Sequence, residues 1–169
     1  AMAQIASEAM GVPFHMIEVN EGDTDIATFD VGAYASRQTY VAGTAVKKAG
    51  LKIKAIVLDR ASEMLHRDAD RLDTYNGYVV DAETLEQLIP IADVAYDCYY
   101  NRGKFADACM MIEANASHCP TTQGLTYVCG FAEVEVDMET GYVNLKKFYT
   151  SCDCGTLINP LAAKCQLTG

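Results

Sequence analysis

The feature that most constrains the fold is a strict two-residue alternation of side chains late in the chain. Over residues 131–137, Glu133 and Glu135 alternate with apolar neighbours, and a second run with the same period covers residues 142–149. A period of two places successive side chains on opposite faces of a strand. Gly141 lies between the runs and supplies the positive φ that a tight turn needs. The pattern predicts an antiparallel β-hairpin.

Other segments have helical spacing of their apolar residues. This spacing predicts a helix over residues 2–10, ended by Gly11. Two further helices are expected, one reaching residue 49 and one over residues 51–67, with Gly50 as a kink or a joint between them. Helices therefore accompany the hairpin.

The remaining segments show turn and strand signals. Alternation over residues 14–20 predicts a short strand, and the Asn76-Gly77 pair predicts a tight hairpin turn. Asp81 is expected to cap a helix that reaches residue 96. Residues 98–126 are predicted to be mostly loop and extended chain.

Composition places the chain among globular proteins. It has 169 residues, of which 50% are hydrophobic and 21% charged, enough to bury a core. No repeat or flexible linker is visible, so we predict one α+β domain, with mixed helices and β-hairpins, over residues 1–169. The net charge of −10 disfavours nucleic-acid binding. No apolar run approaches the ~20 residues of a membrane helix, and no signal peptide is evident.

The most unusual stretch covers residues 22–25 and then residues 30–37, and its second part is rich in Gly, Ala and Ser ahead of a predicted helix. Small residues let the backbone approach an anion, and exposed N–H groups at a helix start bind phosphate-like oxygens. Ser36, Arg37, Gln38 and Thr39 add side-chain donors. The alternative, a tight Gly/Ala contact between helices, remains open.

Other candidate sites are weaker. Asp23, Asp25 and Asp30 lack the spacing of a calcium loop, so turn and cap roles are favoured over a metal. His118 beside Cys119 is a Cys-His pair without an orienting partner.

The seven cysteines, an odd number, cannot all pair within one chain, and we expect reduced thiols in a cytoplasm. Cys152, Cys154 and Cys165 lack zinc-site spacing, and Cys119 and Cys129 do not supply it. All five are predicted to be buried structural thiols.

Three blocks of sequence resemble the molybdenum hydroxylases, the xanthine dehydrogenase and aldehyde oxidase family. Their order and separations match the family along the whole chain. The blocks are AQIA, GVP and GDTD in residues 3–25, DVGAYASRQTY and GTAV in residues 30–46, and FAEVEVD, ETG, DCG, INP and Q in residues 131–166. The resemblance implies part of a molybdenum cofactor-binding domain.

The resemblance also implies site residues. In members of the family, a loop and the helix start after it surround the pyranopterin and its phosphate tail. The corresponding residues here are Ala33, Tyr34, Ala35, Ser36 and Gln38. The family's Asn-Pro to Gly-Gln segment approaches the same cofactor and nominates Gln166, although Cys165 stands where the family usually has glycine. The molybdenum is held by the pterin dithiolene, with or without a nucleotide on the pterin, so no protein metal ligand is expected. The family's catalytic glutamate belongs to a motif beyond Gln166, outside this chain.

The implied reaction is hydroxylation of a heterocycle or an aldehyde with oxygen from water, with electrons leaving through iron–sulfur and flavin subunits. Three interpretations stay open: a cut domain or truncated product, a naturally split subunit, and a non-catalytic α+β scaffold or assembly module without cofactor. In each case we expect the isolated chain to be inactive and empty. It should also expose apolar surface that promotes self-association.

Overall fold

The computed structural model describes residues 1–20, 22–100, 111–122 and 124–169. The chain divides into two compact units, Ala1–Pro120 and Thr121–Gly169. The prediction that residues 1–169 form one domain stays a prediction, because two compact parts can still fold cooperatively.

The first unit combines helices with a small antiparallel sheet in the order β1-β2-β3. Its helix α2 continues without a break from a π-helical stretch, Gln38–Ala42. The elements are α1 (Met2–Met10), α2 (Gly43–Leu65), β1 (Leu72–Tyr75), β2 (Tyr78–Asp81), β3 (Gln87–Pro90) and α3 (Ile91–Tyr100), with short 3-10 helices at Phe14–Met16 and Ala69–Arg71.

Helix α1 ends as its sequence predicts. Gly11 follows it in the left-handed region, with φ of 68°, and its N–H bonds to the carbonyl of Ser7. Glycine adopts this conformation at no steric cost. The prediction of a helix over Met2–Met10 is confirmed.

Two glycines of α2 let α1 approach closely. A Cβ at Gly43 would lie 2.7 Å from Cδ1 of Ile5, and one at Gly50 would lie 2.8 Å from Cβ of Ala9. Real Cβ atoms do not come so close. The Cβ of Ala9 cannot rotate away, so Gly50 requires glycine, whereas at Gly43 the flexible end of Ile5 would have to shift. The prediction of a joint at Gly50 is wrong, because α2 continues through it, and the kink stays a prediction.

The core of the first unit lies between α2, α3 and the sheet. It consists of buried aliphatic side chains from all three, namely Val57, Ala61, Leu72, Val79 and Val94. Across the α2–α3 contact, buried Arg60 donates a 2.6 Å hydrogen bond from Nε to Asp97 Oδ2 and a second from Nη2. Burial opposes the charge of Arg60, but hydrogen bonds to Asp97 and Glu63 outweigh it and raise the pKa of Arg60.

The turn of the β1–β2 hairpin is the one that Asn76 and Gly77 predict. Both residues have positive φ, 48° and 85°. The N–H of Gly77 donates to the carbonyl of Gly11 at 2.8 Å, and its carbonyl accepts from Ile91 N–H at 2.9 Å. The tight turn thus also joins the end of α1 to the start of α3.

Two element predictions are wrong. Residues 14–20 form no strand, because a 3-10 helix, Phe14–Met16, follows Pro13 and the remainder pairs with no strand among the described residues. The carboxylate of Asp81 caps a turn, accepting from Glu83 N–H at 3.1 Å and Thr84 N–H at 3.2 Å. The chain then forms β3 before the helix, which begins only after Pro90.

Residues 111–120 have no helix or strand assignment, as predicted, but their burial alternates. Ile112 packs against the core. Lys52 Nζ donates to the carbonyl of Asn115 at 2.8 Å, and Lys48 Nζ lies 3.2 Å from Nδ1 of His118. This extended segment is therefore attached to α2. The end of α3 lies within the stretch predicted as irregular, and residues 101–110 and 123 lie outside the described residues.

The second unit is a long hairpin followed by a helix. Strands β4 (Tyr127–Val136) and β5 (Val143–Asp153) pair antiparallel, which confirms the predicted hairpin and extends it. Helix α4 (Pro160–Thr168) was not predicted, although Asn159 caps it by accepting from Ala162 N–H at 3.0 Å and Pro160 suits its first turn. The α+β fold class is confirmed. Among the described helices, none combines the length and apolar character needed to cross a lipid bilayer.

Candidate cofactor-binding site

The small-residue loop of residues 30–37 is closed by its own side chains. Asp30 Oδ1 accepts from the N–H of Gly32 at 2.7 Å and from Arg37 Nη1 at 3.1 Å. Arg37 Nη1 also donates to the carbonyl of Gly32 at 2.7 Å. We call these three bonds the Asp30–Arg37 clasp. The N–H of Arg37 donates to the carbonyl of Tyr34 at 3.1 Å, which tightens the same loop.

The loop ends in a run of backbone N–H groups ahead of the helix. Ala35 and Ser36 have positive φ, 49° and 54°, and Arg37 returns to the right-handed region with φ of −80°. A left-handed residue followed by a right-handed one turns successive N–H groups to the same side, a conformation called a nest that favours anions. The N–H of Arg37, within this run, donates to the carbonyl of Tyr34. Within the described part of the chain, the N–H groups of Ala35, Ser36 and Gln38 meet no acceptor. They lie at the positive end of the helix that begins at Gln38.

The loop is exposed and does not serve as a helix-packing contact. Residues 30–36 are all exposed, and no atom lies within 4 Å of the position that a Cβ on Gly32 would take. Among the described residues, nothing packs against this stretch in the way that the packing alternative requires. The close small-residue contacts of this helix are at Gly43 and Gly50 instead.

The role expected for Arg37 needs correction. Its guanidinium is engaged by Asp30 and Gly32, lies 5.5 Å from the centroid of the Tyr34 ring, and leaves only 19% of the side chain exposed. The guanidinium of Arg37 thus bonds groups of the loop itself. The N–H of Gly32, and then Arg37, hold the pKa of Asp30 below its ordinary value. The Asp-x-Gly spacing, typical of a side-chain-closed turn, is the signal that indicates the role of Asp30.

The nominated site residues are divided between the units. Ala33, Tyr34, Ala35, Ser36 and Gln38 lie together in the first unit, at the loop and helix start, and all are exposed. Gln166 lies in α4 of the second unit, also exposed. The approach of Gln166 to the same cofactor stays a prediction, as does crowding by Cys165.

The carboxylates near the loop have the turn roles that were favoured. Besides Asp30, Asp23 accepts from the N–H of Asp25 at 2.9 Å. No group of three or more His, Cys, Asp or Glu side chains placed to hold a metal ion occurs among the described residues. His118 contacts Lys48 and the edge of the Tyr40 ring.

The prediction of buried thiols is wrong for the cysteines to which it was applied. Cys119, Cys129, Cys154 and Cys165 are exposed, and Cys152 is partly exposed. Local burial, with Cys154 nearby, raises the pKa of Cys152. Cys98 is the buried cysteine of the described residues.

The first unit thus presents an exposed loop with backbone N–H donors at the start of a long helix, and the second unit contains a long hairpin. The chain belongs to the molybdopterin cofactor-binding domain family, which matches residues 1–169. This confirms the resemblance to molybdenum hydroxylases.

Similar proteins are large molybdenum subunits. The xanthine dehydrogenase molybdenum-binding subunit of Escherichia coli O157:H7 is 33% identical over 99% of this chain and 22% of its own length. The carbon monoxide dehydrogenase large chain of Hydrogenophaga pseudoflava is 33% identical over 99% of this chain and 20% of its own. The quinoline 2-oxidoreductase structure from Pseudomonas putida 86 has a TM-score of 0.89, at 29% identity over 98% of this chain and 21% of that one. The chain thus spans about a fifth of the length of these relatives.

Proposed function

We propose that this chain helps to hold a molybdenum–pterin cofactor as one segment of a longer molybdenum hydroxylase subunit. The observation that supports this most directly is the nest, whose N–H groups at Ala35, Ser36 and Gln38 have no acceptor among the described residues, in a chain of a molybdopterin-binding family. Phosphate oxygens are favoured ligands of such a nest at a helix start. The chain would therefore bind the anionic tail of the cofactor.

The donors around the nest fit such a group. The Ser36 hydroxyl and the Gln38 amide are exposed beside the free N–H groups and can bond phosphate or the polar edge of a pterin. Ala33 and Ala35 add little bulk, so the backbone can come close to a ligand. We propose that Tyr34 borders the same surface and that Gln166 is a further cofactor contact.

The chemistry would come from the assembled enzyme. When bound, the cofactor supplies the redox reaction that hydroxylates a heterocycle or an aldehyde, and the residues of this chain bind and orient it. We further propose iron–sulfur and flavin subunits as electron-accepting partners and a cytoplasmic location. A pterin with an attached nucleotide would place more phosphate at the nest than one without, and mass analysis of the released cofactor distinguishes the two.

The test is a matched pair of substitutions at Ala35 in the longer subunit. Ala35→Gly and Ala35→His both tolerate positive φ, because glycine lacks Cβ and histidine is enriched in the left-handed region. Only histidine adds bulk at the nest. Molybdenum and pterin per mole of purified subunit should fall about tenfold in Ala35→His and stay unchanged in Ala35→Gly, with equal melting temperatures for the two.

Two results would contradict the proposal. Equal cofactor occupancy in both variants would mean that the loop is not part of the cofactor site. A subunit that never carries molybdenum or pterin would favour the scaffold alternative. A loss of occupancy matched by a loss of thermal stability would point to folding.

A further inference from the structure

We propose that Asp30 and Arg37 are positioning residues for the cofactor, acting through the nest that they hold in shape and not by touching the bound group. The inference rests on the proposed function of the loop. Neither residue contributes one of the three N–H groups of the nest that have no acceptor.

Each side chain of the clasp makes more than one hydrogen bond. Asp30 Oδ1 fixes both the N–H of Gly32 and the guanidinium of Arg37, while Arg37 Nη1 holds the carbonyl of Gly32 as well. The Tyr34 ring lies against the same guanidinium. The loop is thus closed from residue 30 to residue 37, immediately before the helix begins at Gln38.

This closure stabilises a backbone that is otherwise unfavourable. Ala35 and Ser36 are consecutive non-glycine residues with positive φ, each costing about 1–2 kcal/mol. Their exposed side chains bury nothing that could offset the cost. The backbone bond from Arg37 N–H to the carbonyl of Tyr34 closes the turn around both residues, and the clasp holds this turn through side chains.

The direction in which cofactor binding changes in Asp30→Ala distinguishes a positioning role of Arg37 from direct binding by Arg37. If Arg37 bound the anionic group itself, removing Asp30 would free its guanidinium and remove a repelling negative charge, so cofactor would bind more tightly. If the clasp shapes the nest, the same change releases the loop and cofactor binds more weakly. The two roles therefore predict opposite effects of Asp30→Ala.

The experiment compares Asp30→Ala, Asp30→Asn and Asp25→Ala in the longer subunit. Molybdenum and pterin content should fall about tenfold in Asp30→Ala, the size typical of lost outer-shell support. Asp30→Asn should fall less, because an amide oxygen can still accept from Gly32. Asp25→Ala removes the same charge from the same exposed stretch without touching the clasp and should keep full occupancy. Hydrogen exchange should speed up at the Arg37 amide, which donates to Tyr34 inside the loop, while the amides of buried Val57 and Ala61 stay protected.

Two outcomes overturn the inference. Higher or unchanged occupancy in Asp30→Ala does so, as does faster exchange spread across the whole of α2. Failure of the proposed function is recognised separately, because Ala35→His would then also leave occupancy unchanged. If Ala35→His lowers occupancy and Asp30→Ala does not, the loop binds cofactor without needing the clasp.

Discussion

Arg60 of α2 and Asp97 of α3 form an ion pair in which both residues are buried, with 4% and 8% of their surfaces exposed. Replacing Asp97 by Asn would remove a negative charge from beside a buried guanidinium. The free energy of unfolding of the chain should fall by about 3 kcal/mol. Urea unfolding followed by circular dichroism measures the loss.

The matched control for this pair is Glu63, which bonds the same guanidinium at 2.6 Å but keeps 45% of its side chain exposed. Glu63→Gln should cost less than about 1 kcal/mol, because solvent screens the pair. Equal losses in Asp97→Asn and Glu63→Gln would show that burial of the Asp97 pair contributes nothing extra.

The sign of the stability change in Gly50→Ala tests whether α1 packs closely against α2. In an open helix position, Gly→Ala stabilises by about 1 kcal/mol through helix propensity. At Gly50 the new Cβ would lie 2.8 Å from Cβ of Ala9, so Gly50→Ala should instead destabilise by about 1–3 kcal/mol. Thermal unfolding measures the change, and the exposed Ala55, replaced by glycine, gives the propensity scale of the same helix. A more stable Gly50→Ala chain would refute the close contact of α1 with α2.

The alternating burial of residues 111–120 gives neighbouring substitutions opposite consequences. Ile112 packs against the core and Glu113 is exposed. Ile112→Ala should lower the free energy of unfolding by about 2 kcal/mol, because a partly buried side chain leaves a cavity. Glu113→Ala should change it by less than about 0.5 kcal/mol. Similar losses at both positions would indicate that the segment does not lie on the core in solution.

Asp137 gives the β4–β5 turn a defined pH dependence. Its pKa lies below the ordinary value of 3.8 because the N–H of Glu139, at 2.8 Å, and then Thr140 donate to the carboxylate. A lowered pKa in the folded state means that the charged carboxylate stabilises the turn above pH 3.8. This stabilisation is lost as the pH falls through the lowered value.

The prediction for Asp137 is checked by following its carboxyl carbon by NMR. The titration midpoint should lie below 3.8, and Asp137→Asn should remove the acid-induced change at the turn amides. A midpoint at or above 3.8 would mean that the bonds from Glu139 and Thr140 are not formed in solution.

Elements whose ends are set by local chemistry could be predicted from the sequence. Gly11 ends α1, Asn76 and Gly77 form the first hairpin turn, and Gly141 lies in the second with φ of 73°. At Asp81 the same kind of reasoning failed, because a carboxylate that caps a turn and one that caps a helix accept the same N–H groups. Tertiary pairing of β3 with β2 decides between them.

The structure of the loop before the helix could not be predicted in detail. The family resemblance nominated residues 33–36 and Gln38, and their contact with the cofactor stays a prediction. Arg37 was expected to offer a free donor, because the sequence gives no sign that Asp30 already bonds it. Bonds that close a loop depend on backbone angles at Ala35 and Ser36 that non-glycine residues seldom adopt. No residue-propensity scale would place both Ala35 and Ser36 in the left-handed region.

Gly43 and Gly50 stand seven positions apart, close to two helical turns, so both meet α1 from the same side. Inserting or deleting one residue between them would rotate one contact by about 100° relative to the other and bring a side chain against α1. Length changes should therefore be tolerated in the connection before Asp30 but not in this stretch of α2. Because Gln38 begins the same continuous helix, the glycine pair also fixes the direction in which its first N–H groups point.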